Sequence, residues 1–391
     1  MKIRILSRPD HSLDLYEGLI KRHIETELMT FGVTQRGGIL NLIFPNQRSI
    51  EGNVNLKNNF SIIHQMIKVV RRRYPSSKWI SLERKIASYI LNPNNMHGQP
   101  DLIHYWPYWY SDYVSRKMAY TNACFLGDFH EAYPGFMKDI FSKEYDKRGY
   151  KYNFPIKWDY NEAFNIAPKI VVPSKFVKDT YLNIDPGKDI KVCEFGLYDM
   201  DKNAKRVDVN NREIKFVFVG KVSLEKGVGY ILDALKLLKS EYISVDFFGS
   251  INETTKDFFQ SSGMNVSFKG SVDKKKLMVE LKSYDALILP SLSDAYSLSV
   301  MEAQSLGLPV IVSNNTGNAE FILNSEIGLV CEAMSASSLA ENMEIMTSSR
   351  IRQKFIDNLH IESKKTLKNN YTLKMINLYQ ECINESSIGC K

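Results

Sequence analysis

Asp294 and Glu302 stand eight residues apart in the stretch Pro290-Ser-Leu-Ser-Asp-Ala-Tyr-Ser-Leu-Ser-Val-Met-Glu-Ala-Gln-Ser-Leu-Gly-Leu-Pro-Val-Ile-Val-Ser313. The apolar run 286–289 before it reads as a buried parallel strand, and residues 310–312 read as the next one. Between them a polar loop leads into a helix whose first turns carry Ser297, Ser299 and Glu302. Gly307 sits where a helix ends in a left-handed residue, and Pro309 stands where it cannot continue. Such a strand–loop–helix unit aims backbone N–H groups and a positive dipole end outward, which suits an anion such as phosphate. Carboxylates beside that pocket repel phosphate and suit neutral hydroxyl groups, such as those of a sugar or ribose. A turn Asp and a solvated helix Glu would give the same two letters, so the rest of the chain must discriminate.

Two further groups could serve the same chemistry. Gly220-Lys-Val-Ser-Leu-Glu-Lys-Gly227 follows directly on an apolar run. Gly220 lets a ligand approach the backbone, and Lys221 and Lys226 flank a turn that can face a diphosphate; a solvated turn is the plain alternative. The spacing is not that of a Walker A loop, and no Ser or Thr follows the lysine. His130 follows the apolar run 123–127 at the edge that faces a cleft in such folds. A neutral imidazole there donates or accepts one hydrogen bond to a sugar hydroxyl, or is satisfied by loop backbone. His104 ends the preceding run, and Trp106 and Trp109 offer faces for a sugar ring or for the core.

The stretch around Asp294 and Glu302 resembles the acid-x7-acid motif of retaining GT-B glycosyltransferases of family 4, with Asp294 where most members have Glu. The resemblance implies that Glu302 holds the nucleotide ribose and Asp294 the donor sugar. Gly220–Gly227 resembles the family's Gly-Arg-x4-Lys-Gly motif, with Lys221 for the usual Arg and Lys226 matching. Ser313-Asn-Asn-Thr-Gly-Asn-Ala-Glu320 is similar to its Ser-x3-Gly-x-x-Glu segment, and Gly328-Leu-Val330, Val171-Val-Pro-Ser174 and Glu194-Phe-Gly-Leu197 resemble further family segments. By the same resemblance His130 lies near the donor sugar and the transferred bond. The likeness is strong from about residue 169 to 329 and weak before it. One departure is plain: residues 7–18 lack the Gly pair that members often carry after the first strand, which puts acceptor contacts there in doubt.

The elements that must position these groups alternate. Residues 3–6, 39–44, 101–104, 123–127, 169–172 and 190–193 read as strands, residues 13–29 as a helix, and 133–159 as aperiodic acceptor-side loops. Residues 198–212, rich in Asp, Asn and Lys, read as a linker. A second series of strands follows at 216–219, 245–248, 266–268, 286–289 and 310–312, and 350–385 is helical. The expected fold is α/β, GT-B: a Rossmann-like acceptor domain (1–197), a linker (198–212) and a Rossmann-like donor domain (213–349) facing a deep cleft. In the resembling family the last helices, here 350–391, pack back on the amino-terminal domain.

Composition narrows the classes. The 391 residues carry 44% apolar content, enough for two cores, and no apolar run nears the roughly 18 residues of a membrane span. The first residues read as a strand rather than a signal peptide. Five widely spaced cysteines with no Cys-x-x-Cys fit a reduced cytoplasmic setting better than a metal or disulfide framework. Residues 57–85 hold eight basic residues and one acid interleaved with apolar ones, and so account for the chain's net +7. Two readings fit: a helix lying on an anionic membrane surface, which would place the protein peripherally on the inner face, or a helix on its own domain with solvated charges. Nucleic acid is disfavoured, since the rest of the chain is near neutral.

The resemblance therefore implies a retaining transfer from a nucleotide-diphosphate sugar to a glycan or lipid-linked glycan. Lys221, Lys226 and N–H groups near Tyr296, Ser297 and Leu298 would stabilise the departing diphosphate. No cofactor and no metal are expected: Asp199-Met-Asp201 has the spacing of a metal motif but lies in the linker. An epimerase of sugar nucleotides on the same architecture, or a silent relative that binds nucleotide sugar, stays open. A dinucleotide dehydrogenase does not, because no Gly-x-Gly-x-x-Gly follows a strand.

Overall fold

The computed structural model describes residues 1–6, 9–29, 33–35, 48–50, 99–107, 114, 121–154, 160–201, 213–251, 255–256, 265–365 and 370–388. In the first half, strands run Lys2–Leu6 (β1), Glu25–Met29 (β2), Val33–Gln35 (β3), Arg48–Ile50 (β4), Leu102–Tyr105 (β5), Cys124–Asp128 (β6), Lys169–Val172 (β7) and Ile190–Val192 (β8). Six of them form one parallel sheet in the order β2-β1-β5-β6-β7-β8, while β3 and β4 pair separately. β5 and β6 are buried along their whole length, as central parallel strands covered on both faces must be. The helices of this half are Pro9–Ile20 (α1), Pro134–Lys147 (α2), Tyr160–Ile166 (α3) and Lys175–Leu182 (α4).

The second half repeats the plan. Ile214–Val219 (β9), Ile243–Phe248 (β10), Val266–Gly270 (β11), Ala286–Leu289 (β12), Val310–Ser313 (β13) and Gly328–Cys331 (β14) make a parallel sheet ordered β11-β10-β9-β12-β13-β14. Val228–Leu238 (α5), Lys274–Glu280 (α6), Leu298–Ser305 (α7), Ala319–Asn324 (α8) and Ala336–Met346 (α9) lie between or after them. Local signals set several of these boundaries. Asp273 caps α6 by accepting from Lys276 N–H at 3.0 Å, and Gly307 with φ 74° follows α7. The strand order reverses between β9 and β12, so the crevice for a ligand opens above their carboxyl ends.

Ser349–Lys365 (α10) and Asn370–Ile388 (α11) end the described chain. α11 returns to the amino-terminal domain, as the resemblance implied. Its Met375, Leu378, Tyr379 and Cys382 share one core with Ile3, Ile5, Leu15, Leu19 and Leu126. Lys169 and Lys191 reach Glu385 and Glu381 of the helix at 2.5 and 2.6 Å. The fold is GT-B: two parallel-sheet α/β domains with a helix crossing back.

Two expectations about elements fail. Residues 13–29 are not one helix: α1 stops at Ile20, His23 takes φ 58°, and β2 follows, because pairing with β1 and burial of Thr26 and Leu28 outweigh the helical propensity of the segment. Residues 133–159 are not loops throughout. α2 occupies 134–147, and its Phe141 joins the core of the carboxyl-terminal domain, with Met137, Ile140, Tyr152 and Phe154 packed against it. The strand expected at 39–44 and the basic segment 57–85 lie outside the described residues.

α2 is tied to the second domain by charge as well. Arg148 Nε meets Glu144 at 2.9 Å and its Nη2 meets Asp233 of α5 at 2.7 Å. The Tyr230 hydroxyl donates to the fully buried Glu144 carboxylate. Arg148→Met should therefore cost about 3 kcal/mol by stranding that carboxylate. Urea unfolding followed by circular dichroism measures it, and an unchanged midpoint would show that the network contributes nothing net.

Candidate functional site

The groups singled out in the sequence come from both domains. From the second, β9 is followed by Gly220 with φ 151°, and the chain turns through Lys221 to a 3-10 turn, Leu224–Lys226, closed by Gly227 at φ 74°. A Cβ on Gly227 would lie 1.9 Å from the Pro290 carbonyl oxygen, so only glycine lets this turn seat on the loop after β12. Leu292 N–H donates to Glu225 C=O at 2.9 Å, which fastens the two loops side by side above the switch point.

The loop after β12 is clamped from its other side too. Asp294 N–H donates to Asn315 C=O at 3.0 Å, and Gly317 N–H to Asp294 C=O at 2.8 Å. Ser174, the cap of α4 in the first domain, donates its hydroxyl to Ala295 C=O at 2.9 Å. Tyr296 is buried, packs edge-on against Phe195, and lies within hydrogen-bond reach of Gly196 N–H at 3.2 Å. Burial pushes the Tyr296 hydroxyl well up, so it stays protonated.

Lys226 Nζ meets Asp294 Oδ2 at 2.7 Å, and Lys274 Nζ meets Glu302 Oε1 at 2.7 Å. Both acids of the motif are thus held by a lysine. Glu302 lies on α7, whose first N–H groups follow Ser297. The Ser297 N–H itself donates to Asn318 Oδ1 at 2.6 Å, while Leu298 is exposed at the helix start. Lys221 is exposed, as is Glu320 in the first turn of α8.

From the first domain, His130 follows β6 and faces this loop. A cavity of about 300 Å³ is lined by His130, Lys226, Asp294, Tyr296 and Leu298. His130 Nε2 lies 3.0 Å from Asp128 Oδ2, and His104 Nε2 reaches the same oxygen at 2.9 Å. His104 stands behind Asp128, buried, and Trp106 packs half-buried on the amino-terminal core, so neither is on the cavity wall. Trp109 lies outside the described residues. Burial opposes the Asp128 charge, but the His130 charge and the hydrogen bonds from both histidines hold its carboxyl well below the usual range. Burial likewise opposes the His130 charge, and the Asp128 carboxylate with Glu131 overcomes it and raises the imidazolium.

Those shifts fix a pH window. The depressed Asp128 stabilises above its unfolded value of about 3.9 and the raised His130 below its unfolded value of about 6.5. The pair therefore contributes fully between about pH 4 and 6.5, and loses its contribution as pH falls through the folded Asp128 value or rises through that of His130. Thermal melting of Asp128→Asn against the parent should show its largest deficit inside that window; a deficit independent of pH would refute the assignment.

Residues 199–360 match the family model "Glycosyl transferases group 1". The similarity to the group 1 glycosyltransferases thus covers the carboxyl-terminal part of the chain. An uncharacterized 41.2 kDa protein in the cps region of Klebsiella pneumoniae is 29% identical over 147 residues, 37% of this chain and 40% of that protein. The Escherichia coli UDP-Gal:alpha-D-GlcNAc-diphosphoundecaprenol alpha-1,3-galactosyltransferase is 23% identical over 198 residues, 48% of this chain and 50% of that enzyme. The chain thus spans about half or less of the length of these two relatives. The sucrose-phosphate synthase structure from Thermosynechococcus elongatus superposes with a TM-score of 0.66 at 15% identity, over 98% of this chain and 100% of that one, which shows a shared fold. Among the described residues no helix is long and apolar enough to cross a membrane.

Sequence reasoning missed Asp128 and Asn318. Asp128 and His130 are two apart at a strand end, a spacing that puts both side chains on one face, and that was the available signal. Asn318 gave none, since its partner lies 21 residues away in a different loop.

Proposed function

We propose that this chain is a retaining glycosyltransferase that moves a sugar from a nucleotide-diphosphate sugar to a glycan acceptor, a lipid-linked one in cell-surface polysaccharide synthesis. One observation carries the reading: Lys226 and Asp294 of one domain and His130 of the other line a single cavity. In that cavity the diphosphate takes Lys226 from Asp294, and Lys221 lies on the same turn. Asp294, released, accepts from a hydroxyl of the donor sugar, and Glu302, released from Lys274, accepts from the ribose. His130 meets the sugar from the opposite wall. As the sugar–phosphate bond breaks, charge grows on the diphosphate beside Lys226 and the start of α7; the acceptor hydroxyl attacks from the same face, its proton passing to the departing phosphate oxygen, and configuration is retained.

Thermal-shift screening against UDP-, GDP-, ADP- and dTDP-sugars identifies the donor, because binding stabilises by mass action. Transfer to an acceptor is then the expected result, with full activity in EDTA. Conversion of the donor with no acceptor would indicate an epimerase, binding without turnover a silent relative, and activity restored only by magnesium or manganese a metal-dependent enzyme. The basic segment 57–85 would hold the enzyme to anionic lipid on the cytoplasmic face. Co-sedimentation with anionic vesicles should weaken in the triple variant Arg71→Ala, Arg72→Ala, Arg73→Ala, and no vesicle binding by the parent would dismiss this role.

A further inference from the structure

We propose that Tyr379 of α11 and His104 of β5 are positioning residues that fix the tautomer and aim of His130 through the carboxylate they share, Asp128. The inference rests on the reading of His130 as a contact to the donor sugar. Four side chains from three parts of the chain form one line. Tyr379 Oη lies 2.6 Å from His104 Nδ1, His104 Nε2 lies 2.9 Å from Asp128 Oδ2, and His130 Nε2 lies 3.0 Å from that same oxygen. Tyr379 is fully buried, His104 is 3% exposed and Asp128 9%, so solvent does not substitute for the two hydrogen bonds, and the third contact is an ion pair.

The proton positions follow from the charge. A carboxylate accepts and cannot donate, so each ring nitrogen that faces Asp128 carries its proton there. His104 then carries its proton on Nε2, and its Nδ1 meets the Tyr379 hydroxyl. Tyr379 thereby prevents His104 from turning a lone pair toward the carboxylate. His104 in turn shares the Asp128 charge, which keeps Asp128 from binding the His130 proton too tightly. The His130 tautomer is fixed with Nε2–H toward Asp128, and its Nδ1 proton decides the charge of the ring. Other charged groups facing His130 are Glu131 on its own segment and Lys226 with Asp294 across the cavity.

The test combines kinetics with a readout that needs no turnover. Tyr379→Phe removes one oxygen from the core. In it, the ring-nitrogen NMR signals of His104 and His130 should move and the His130 titration midpoint should rise. Transfer should lose about tenfold in kcat, with donor KM within about twofold of the parent. His104→Leu should do the same. His104→Gln should restore most of the rate, because its amide can donate to Asp128 and accept from Tyr379. Unchanged His130 signals and midpoint in Tyr379→Phe overturn the proposal, and so does a rate loss carried wholly by KM. Should His104→Leu fail to fold, the Phe and Gln variants still decide. Should no donor be turned over, the glycosyltransferase reading falls while the ring signals still test the relay.

Discussion

Lys226→Ala is expected to lower transfer by about a hundredfold or more, the usual consequence of removing one preorganised contact to a developing oxyanion. The fold should survive, since Lys226 lies on a turn and its partner is Asp294 at the cavity wall. The companion variants separate the two acids. Glu302→Ala should weaken binding of the bare nucleotide diphosphate as well as of the donor, because ribose is common to both. Asp294→Ala removes the competing partner of Lys226, so nucleotide-diphosphate affinity should stay level or rise while transfer collapses. Calorimetry with nucleotide alone, beside initial rates, reads all three. Equal affinity losses in the two acid variants, or parental turnover in Lys226→Ala, would show that this division of roles is wrong.

Gly227→Ala should have the largest effect on stability. At φ 74° an L residue pays about 1–2 kcal/mol for the left-handed backbone. The added Cβ would also sit 1.9 Å from the Pro290 carbonyl oxygen and 2.7 Å from its carbon, which are backbone atoms with no rotamer to escape into. Relieving such an overlap costs about 1–3 kcal/mol more by prying the lysine turn off the loop after β12. Calorimetry should show a melting point lower by roughly 4–20 °C, at about 2–4 °C per kcal/mol for a domain of this size. Donor binding should fall with it, because the same displacement moves Lys226 away from Asp294. A variant that melts with the parent would mean that the two loops part without cost.

How much of this was readable in the amino acids depends on how local the cause is. Ala286–Leu289 is apolar at every position, and Gly307 and Pro309 mark the end of the next helix by their own backbone limits, so that unit was legible to within a residue or two. Lys226, Asp294 and His130 were legible as chemistry, and the structure brings them to one cavity. β2 was hidden because Lys21, Arg22 and Glu25 are good helix formers, and only pairing with β1 makes the strand. α2 was hidden because Glu144 interrupts its apolar stripe, and the Arg148 and Tyr230 that satisfy it are visible only once two domains are in place. The pairing of each acid with a lysine, Asp294 with Lys226 and Glu302 with Lys274, joins residues too distant in sequence for any local pattern to signal.

The return of α11 has a consequence for synthesis on the ribosome. Met375, Leu378, Tyr379 and Cys382 complete the face of the sheet that Ile3 and Ile5 begin. At about 5–20 residues per second, roughly 20–75 s separate the emergence of β1 from that of the helix that covers it. The donor domain, whose strands are contiguous in sequence, has the chance to fold first although it is made second. For that interval the face of the amino-terminal sheet has only α1 to cover it, through Leu15 and Leu19, and the rest of its apolar surface waits for the last helix.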